Sequence, residues 1–282
     1  MNPNYSITRM SRQEVNTAIN WAAKAGWNPG LHDAECFYQT DPQGFFSGKI
    51  DNKIISVGSA VIYDDYFAFC GFYIVDEAYR GQGYGLKLTQ ERLKYIGNRN
   101  AGIDGVMDML SKYERIGYKL AHNNARYSTT WHQLNNKPST NLVPTANIPK
   151  ETLNQYDRRH FPAARTQFLS LWIAQPGVKS IAYMQNNTLS GYGVIRPCRE
   201  GFKIGPLFAD TPDIADALFV ALANHSNEEP IYLDIPENNP YAIALVNRYK
   251  LDKIFETARM YLKKPPDLPI TNIYGITSFE LG

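Results

Sequence analysis

Val75-Asp76-Glu77-Ala78-Tyr79-Arg80-Gly81-Gln82-Gly83-Tyr84-Gly85 is the point where an apolar run breaks into three alternate glycines and then a segment patterned as a helix. Glycines at 81, 83 and 85 let the backbone take positive φ and come close to a ligand, so successive N–H groups can converge on anionic oxygens. The next segment, Leu86 to Ile96, has apolar residues at Leu86, Leu93 and Ile96 and would aim the positive end of its dipole at the same anion. A pyrophosphate is the expected ligand. Two well-known glycine motifs fail on spacing. A dinucleotide fingerprint needs glycine at the sixth position from Gly81, where Leu86 stands, and Asp76 to Arg80 separate the apolar run from the first glycine. Asp104 lies at the distance of a ribose-binding acid but falls within a short apolar run. A Walker A loop would continue Gly-Lys-Ser/Thr, whereas Gly85 is followed by Leu86 and Lys87.

What remains, Arg80-x-x-Gly83-x-Gly85 with Val75 five residues before the arginine, resembles the acyl-CoA signature of the GCN5-related N-acetyltransferase (GNAT) superfamily. The flanking order agrees. Phe67 to Val75 is a β-type run, Gly102 to Val106 another, and Leu110-Ser111-Lys112-Tyr113-Glu114-Arg115-Ile116-Gly117-Tyr118 is similar to that superfamily's second hallmark helix. Gly26-Trp27-Asn28-Pro29-Gly30, Asp41 to Phe46, Ile204 to Asp210 and Gly275 to Gly282 further resemble the YitH/HolE-type two-domain acetyltransferases over nearly the whole length. The resemblance implies an α/β (α+β) chain of tandem domains, each a mixed, mostly antiparallel twisted sheet flanked by helices.

With 282 residues, 44% hydrophobic and 20% charged, the chain suits two ordinary globular domains. Its 29 basic and 27 acidic residues give +2 with no cationic block, which argues against nucleic-acid and anionic-membrane partners. Arg80, Lys87 and Arg92 remain as local cations for one CoA. No run reaches the roughly 18 apolar residues of a spanning helix, and Met1-Asn2-Pro3-Asn4 does not open a signal peptide, so a cytoplasmic protein is expected. Cys36, Cys70 and Cys198 are odd in number and widely spaced, as reduced thiols would be; Cys70, inside an apolar run, reads as buried and inert.

Along the chain, Ser11 with Glu14 opens a helix to Ala25 by a capping box. Trp27 to Phe46 reads as a turn-rich connection, with Asp41-Pro42-Gln43-Gly44 patterned as a type I turn. Strands are expected at Phe46–Lys49 and Ile54–Tyr63. The Pro- and Asn-rich stretch around Gln133 to Lys150 marks a boundary, giving an N-terminal acetyltransferase domain over 1–134, a linker over 135–150 and a second domain over 151–282. The second half repeats the first in degraded form. Ala125-Arg126-Tyr127 registers with Ala258-Arg259-Met260, and Thr211-Pro212-Asp213 opens a helix where the first half has its glycine loop. In that register Tyr113 meets Val246, so the second copy is expected to bind no CoA and instead to shape the acceptor pocket or steady its partner.

By the resemblance, backbone N–H groups of Arg80, Gly81, Gln82, Gly83, Tyr84, Gly85 and Leu86 hold the pyrophosphate of acetyl-CoA. The edge Tyr73, Ile74, Val75 pairs with the pantetheine arm and polarises the thioester carbonyl, and Tyr113 returns a proton to the leaving thiolate. Trp27, Asn28 and Phe45 fall at acceptor-pocket positions. The implied reaction is acetyl transfer to a primary amine of a small molecule, without a metal, by a monomer or homodimer. A non-catalytic acyl-CoA-binding or sensing protein is the other reading. An alkylammonium with a pKa of about 10 must lose a proton before it attacks, and no acid lies between Phe67 and Val75. Asp64, Asp65, Asp104, His122, Asp157 and Asp234 are candidates for the base, each with an ordinary structural reading beside it; a water chain or a second-domain carboxylate is preferred to any one of them.

Overall fold

The structure, a computed structural model, describes residues 4–134 and 139–282. Residues 135–138 of the expected linker and Met1 to Pro3 lie outside the described residues. The first half runs β1 (Tyr5–Arg9), α1 (Arg12–Lys24), α2 (Asp33–Thr40), β2 (Phe45–Ile50), β3 (Lys53–Ile62), β4 (Phe67–Val75), α3 (Tyr84–Ile96), β5 (Asn100–Val106), α4 (Leu110–Ile116) and β6 (Lys119–Thr130). The local signals explain most of it. The capping box at α1 forms in both directions, and Val15, Ala18, Ile19 and Ala22 bury one face at helical spacing. Gly44 donates to the Asp41 carbonyl at 2.9 Å, closing the expected turn. Asp51 and Asn52, both at positive φ, make the two-residue hairpin between β2 and β3.

One element was not anticipated: α2 lies within what reads as a connection. No side chain caps its start. Instead the buried Asp33 carboxylate accepts from the Gly30 N–H at 2.7 Å and pairs with Arg196 of the second half, so the helix is anchored by a partner over 160 residues away.

The second half repeats the order: β7 (Leu142–Pro144), α5 (Lys150–His160), α6 (Thr166–Trp172), β8 (Lys179–Gln185), β9 (Thr188–Pro197), β10 (Phe202–Ala209), α7 (Pro212–Ala223), β11 (Pro230–Pro236), α8 (Pro240–Arg248), β12 (Asp252–Tyr261) and β13 (Ile273–Gly275). Thr211 caps α7 through its hydroxyl with Pro212 in the first turn, as its sequence predicts.

All strands join one sheet in the order β1-β2-β3-β4-β5-β12-β6-β11-β10-β9-β8-β7, with β13 added on β10. That order is a near-mirror about its centre, and the two last strands have changed places. β12, from the second half, pairs with β5; β6, from the first, pairs with β11. The division into 1–134 and 151–282 therefore describes the sequence and not the sheet, because each half is completed by a strand of the other. Within the expected linker, Leu142–Pro144 is itself the edge strand β7, paired with β8.

Two matched ion pairs fix the exchange. Arg259 on β12 grips Asp104 on β5 with two hydrogen bonds, 2.8 and 2.7 Å; Arg126 on β6 grips Asp234 on β11 with two of 2.6 and 2.8 Å. All four side chains are buried. Charge-assisted bidentate pairs of this kind have a demanding geometry, which a slipped strand would lose.

Candidate active site

β4 and β5 pair in parallel only from Phe67–Asn100 to Phe69–Gly102. Beyond that they part, and a cavity of about 900 Å³ opens between them. Its wall on β4 is irregular: Ser59 faces Gly71 but Val57 faces Ile74, so Phe72 and Tyr73 bulge against Gly58 alone. Phe72 has φ 49°, an uncommon conformation for an aromatic residue. Its ring is held by Phe37 at 5.8 Å and Phe45 at 6.5 Å between centroids, contacts that sustain the strained backbone.

The glycine loop forms one end of the cavity. Asp76 caps the Ala78 N–H, and Arg80 ties back to the Val75 carbonyl through Nε at 3.0 Å. Gly81 (φ 75°) and Gly83 (φ 87°) take left-handed backbone, and Gly83 is the N-cap of α3. The N-terminal turn of α3 that follows gives the kind of backbone N–H cradle an anion needs. Gly85 is required for another reason, since a Cβ there would stand 2.1 Å from the Tyr73 hydroxyl. Gln82 turns its side chain to the Ala78 carbonyl and so has only backbone to offer. Leu86 lines the cavity and is 56% exposed; Tyr84, Leu88, Arg92 and Ile96 are on the buried face of α3.

Tyr113 on α4 lies across Gly105 of β5, where a Cβ would sit 2.5 Å from its ring. It borders the same cavity. Burial pushes its phenol up to about 12, although Arg92 pulls the other way. A phenol so placed stays protonated at neutral pH and suits a proton donor. Arg92, expected as a local cation for CoA, instead points inward: Nε donates to Ser59 O at 2.7 Å and Nη2 to Gly71 O at 3.3 Å.

The opposite end of the cavity is aromatic and comes from three parts of the chain: Trp27 after α1, Phe72 on β4, and Phe255 and Phe279 from the second half. Thr257 joins them, with its buried hydroxyl lacking a partner. Two expected acceptor residues do not reach this space. Phe45 is fully buried behind Phe72, and Asn28 bonds in both directions to the backbone of Glu200, fastening the Trp27 loop to the second half. Phe255, Thr257 and Phe279 escape sequence reasoning because they arrive by strand exchange and by the C-terminal segment.

The candidate carboxylates are all tied up in hydrogen bonds or ion pairs, and of them Asp104 alone lines the cavity. Asp64 accepts from the Tyr66 and Phe67 N–H groups, Asp65 pairs with Arg99, Asp104 with Arg259, Asp157 with Arg165 and Asp234 with Arg126. His122 borders a separate small hollow. Glu280 is buried with neither carboxylate oxygen partnered, next to the aromatic wall; burial raises its pKa against the pull of Lys203 and Arg126. Cys70 lines the cavity and is buried, as are Cys36 and Cys198, all free thiols. Among the described residues no cluster of three or more His, Cys, Asp or Glu could hold a metal ion, and no helix is long and apolar enough to cross a membrane.

The second half has the same splay, and it is filled. β10 and β11 pair in parallel only over Phe202–Ile204, after which β13 pairs with β10 at Leu207 and Phe208, and Ile276 donates to the Asp234 carbonyl of β11 at 2.8 Å. The chain's own backbone thus occupies the place that stays open between β4 and β5. From there the segment runs on to Phe279 at the first cleft.

Residues 12–114 match the family model described as Acetyltransferase (GNAT) family, and residues 153–275 match one described as Acetyltransferase (GNAT) domain. The chain is 28% identical over 273 residues to Holothin acyltransferase of Pseudoalteromonas sp. (strain SANK 73390), covering 96% of this chain and 92% of that protein. It is 22% identical over 281 residues to the uncharacterized N-acetyltransferase YitH of Bacillus subtilis (strain 168), covering 98% of each. A Pyrococcus horikoshii structure described as a candidate acetyltransferase shares the fold with TM-score 0.85 at 20% identity, over 100% of this chain and 97% of that one.

Proposed function

We propose, from a chain that belongs to the GNAT acetyltransferase family through both of its halves, that the first cleft moves an acetyl group from acetyl-CoA to a primary amine of a small molecule. The observation that carries this reading is one continuous cavity that joins the glycine loop, the bulge at Phe72 and Tyr73, Tyr113 and an aromatic end. The N-terminal turn of α3 would take the pyrophosphate. Tyr73 to Val75, a strand edge freed by the splay, would pair with the amides of the pantetheine arm, and an N–H released from the ladder by the bulge would polarise the thioester carbonyl.

In direct transfer the amine nitrogen bonds to the carbonyl carbon, the C–S bond breaks, and the Tyr113 hydroxyl gives its proton to the departing thiolate. The phenolate then recovers a proton from the acceptor nitrogen through solvent, so protons balance over the cycle. The aromatic end of the cavity supports an apolar acceptor, and the buried Thr257 hydroxyl there has no hydrogen-bond partner among the described residues. A relative named as an acyltransferase of holothin supports a small-molecule acceptor class. A cytoplasmic setting and a monomer or homodimer complete the reading. The test is CoA release from acetyl-CoA in the presence of a panel of apolar, polar and charged primary amines. Turnover well above hydrolysis with at least one amine is expected; tight CoA binding without turnover by any of them would instead favour a binding or sensing protein.

A further inference from the structure

Arg92 is a buried cation without an anion. It is 6% exposed, yet it forms no ion pair among the described residues. The other arginines buried this deeply, Arg126, Arg165, Arg196 and Arg259, each hold an aspartate. An unpaired guanidinium in the interior is costly unless other groups compensate it. Here the compensation is partial and points at the bulge. Nε and Nη2 take the carbonyls of Ser59 and Gly71, the residues that face each other just before the register slips, and the guanidinium lies 5.6 Å from the centroid of Tyr73. Gly58 makes the room: a Cβ there would be 3.0 Å from Arg92 Cδ. Among the described residues Nη1 makes no hydrogen bond, and the residue borders the cavity. Among the described residues the titratable groups found beside it are the phenols of Tyr73, Tyr113 and Tyr118, none of them a carboxylate.

We propose that Arg92 is a positioning residue for the β4 bulge, and that its unused Nη1 edge supplies the fixed positive charge toward which the thioester's negative charge develops. The inference rests on the acetyltransferase reading of this cleft. As the amine–carbon bond forms, charge grows on the carbonyl oxygen and then on sulfur as the C–S bond breaks. Arg92 transfers no proton in either step. It holds the bulge N–H in line through the Gly71 carbonyl and favours the thiolate before Tyr113 protonates it. A fixed charge in a water-poor site acts this way without reorganising during the reaction.

The test compares wild type with Arg92→Gln and Arg92→Lys, using free CoA as the probe and ultraviolet absorbance of its thiolate across a pH titration. In the wild-type complex the CoA thiol is expected to ionise at least about one pH unit lower than in the Arg92→Gln complex, while CoA affinity changes by no more than about threefold. With the acceptor that turns over best, kcat of Arg92→Gln should fall at least about tenfold with the acetyl-CoA KM little changed. Arg92→Lys keeps the charge but loses the fork, so it should retain much of the thiol shift and still lose most of kcat. Equal thiol ionisation in wild type and Arg92→Gln, or wild-type kcat in either variant, overturns the proposal. If Arg92→Gln does not fold, the lysine variant decides by kcat, and wild-type turnover there overturns the proposal. Wild-type protein that neither binds CoA nor transfers acetyl overturns the underlying reading itself, a failure seen before any variant is made.

Discussion

Arg259 reaches from the second half of the chain to hold Asp104 of the first, and Arg126 reaches the other way to hold Asp234, so that the two bidentate pairs are counterparts across the centre of the sheet. Asp104 is fully buried, and its removal would leave the Arg259 guanidinium without an anion. Asp104→Ala is expected to cost about 3–5 kcal/mol, the range for breaking a buried pair from one side. The joint variant with Arg259→Met should recover a good part of that loss. Urea melts of the two single variants and the double variant check this; additive losses would mean that the two residues are not coupled.

Replacing Tyr113 by phenylalanine removes the proposed acid and leaves the packing over Gly105. Turnover should fall about 10²-fold or more, with the acetyl-CoA KM nearly unchanged. Because burial holds the wild-type phenol near 12, deprotonation of Tyr113 should not produce a falling limb in kcat below about pH 10. Steady-state kinetics and a pH–rate profile check these points: wild-type turnover in Tyr113→Phe would contradict the acid role, and a descending limb near pH 9 that vanishes in the variant would contradict the raised pKa.

One CoA per chain is expected, because β13 fills the second splay. Calorimetric titration should give a stoichiometry near one. Gly83→Ala forces a side chain onto a backbone with φ 87°, a strain of about 1–2 kcal/mol if the conformation is kept. It should weaken CoA binding about tenfold or more while altering the melting temperature by only a few degrees.

Burial, with a smaller push from Arg259, lowers the pKa of His122 to about 4. In the unfolded chain the ordinary value near 6.5 applies. The unfolded state therefore binds the proton first, so this contribution is complete above about pH 6.5 and is lost as pH falls toward 4. The loss is of the order of 3 kcal/mol at its acid limit. His160, also lowered by burial, acts with the same sign. Denaturant midpoints at pH 7.5 and 4.5 should differ less in His122→Gln than in wild type; an unchanged difference would mean that His122 is already accessible to protons.

A methyl group on Gly71 would stand 2.1 Å from the carbonyl oxygen of Glu280. Gly71→Ala must displace the C-terminal segment, and with it Phe279 and the aromatic wall. Overpacking against backbone costs about 1–3 kcal/mol. Acceptor kcat/KM should drop more than tenfold while CoA affinity stays within a few-fold. A loss confined to CoA binding would place the segment's role at the other end of the cavity.

What the sequence made legible is what local chemistry writes. Tyr113 stands out only through the family resemblance, whereas the turns of the glycine loop, the capping box of α1, the Thr211 cap and the Asp41–Gly44 turn each depend on residues within a few positions of one another. The bulge at Phe72 does not: a positive φ on phenylalanine is imposed by Phe37, Phe45 and the Arg92 clamp, and no composition rule anticipates it. Arg92 reads as a helix-surface cation until Gly58 and two strand carbonyls give it a place inside. Helix α2 depends on Arg196, and the aromatic wall on Phe255 and Phe279, all distant in sequence. Asn28 and Phe45 fall at acceptor-pocket positions by the resemblance, and neither lines the cavity.

The exchange of β6 and β12 gives the chain the topology of a domain-swapped dimer whose two subunits have been joined end to end. A true swapped homodimer assembles only at sufficient concentration and is bound by symmetry to carry two identical clefts. Covalent joining removes both constraints. One cleft is then free to be closed permanently by the chain itself, while the other keeps its glycine loop and Tyr113 and takes its aromatic wall from the half whose own splay is filled.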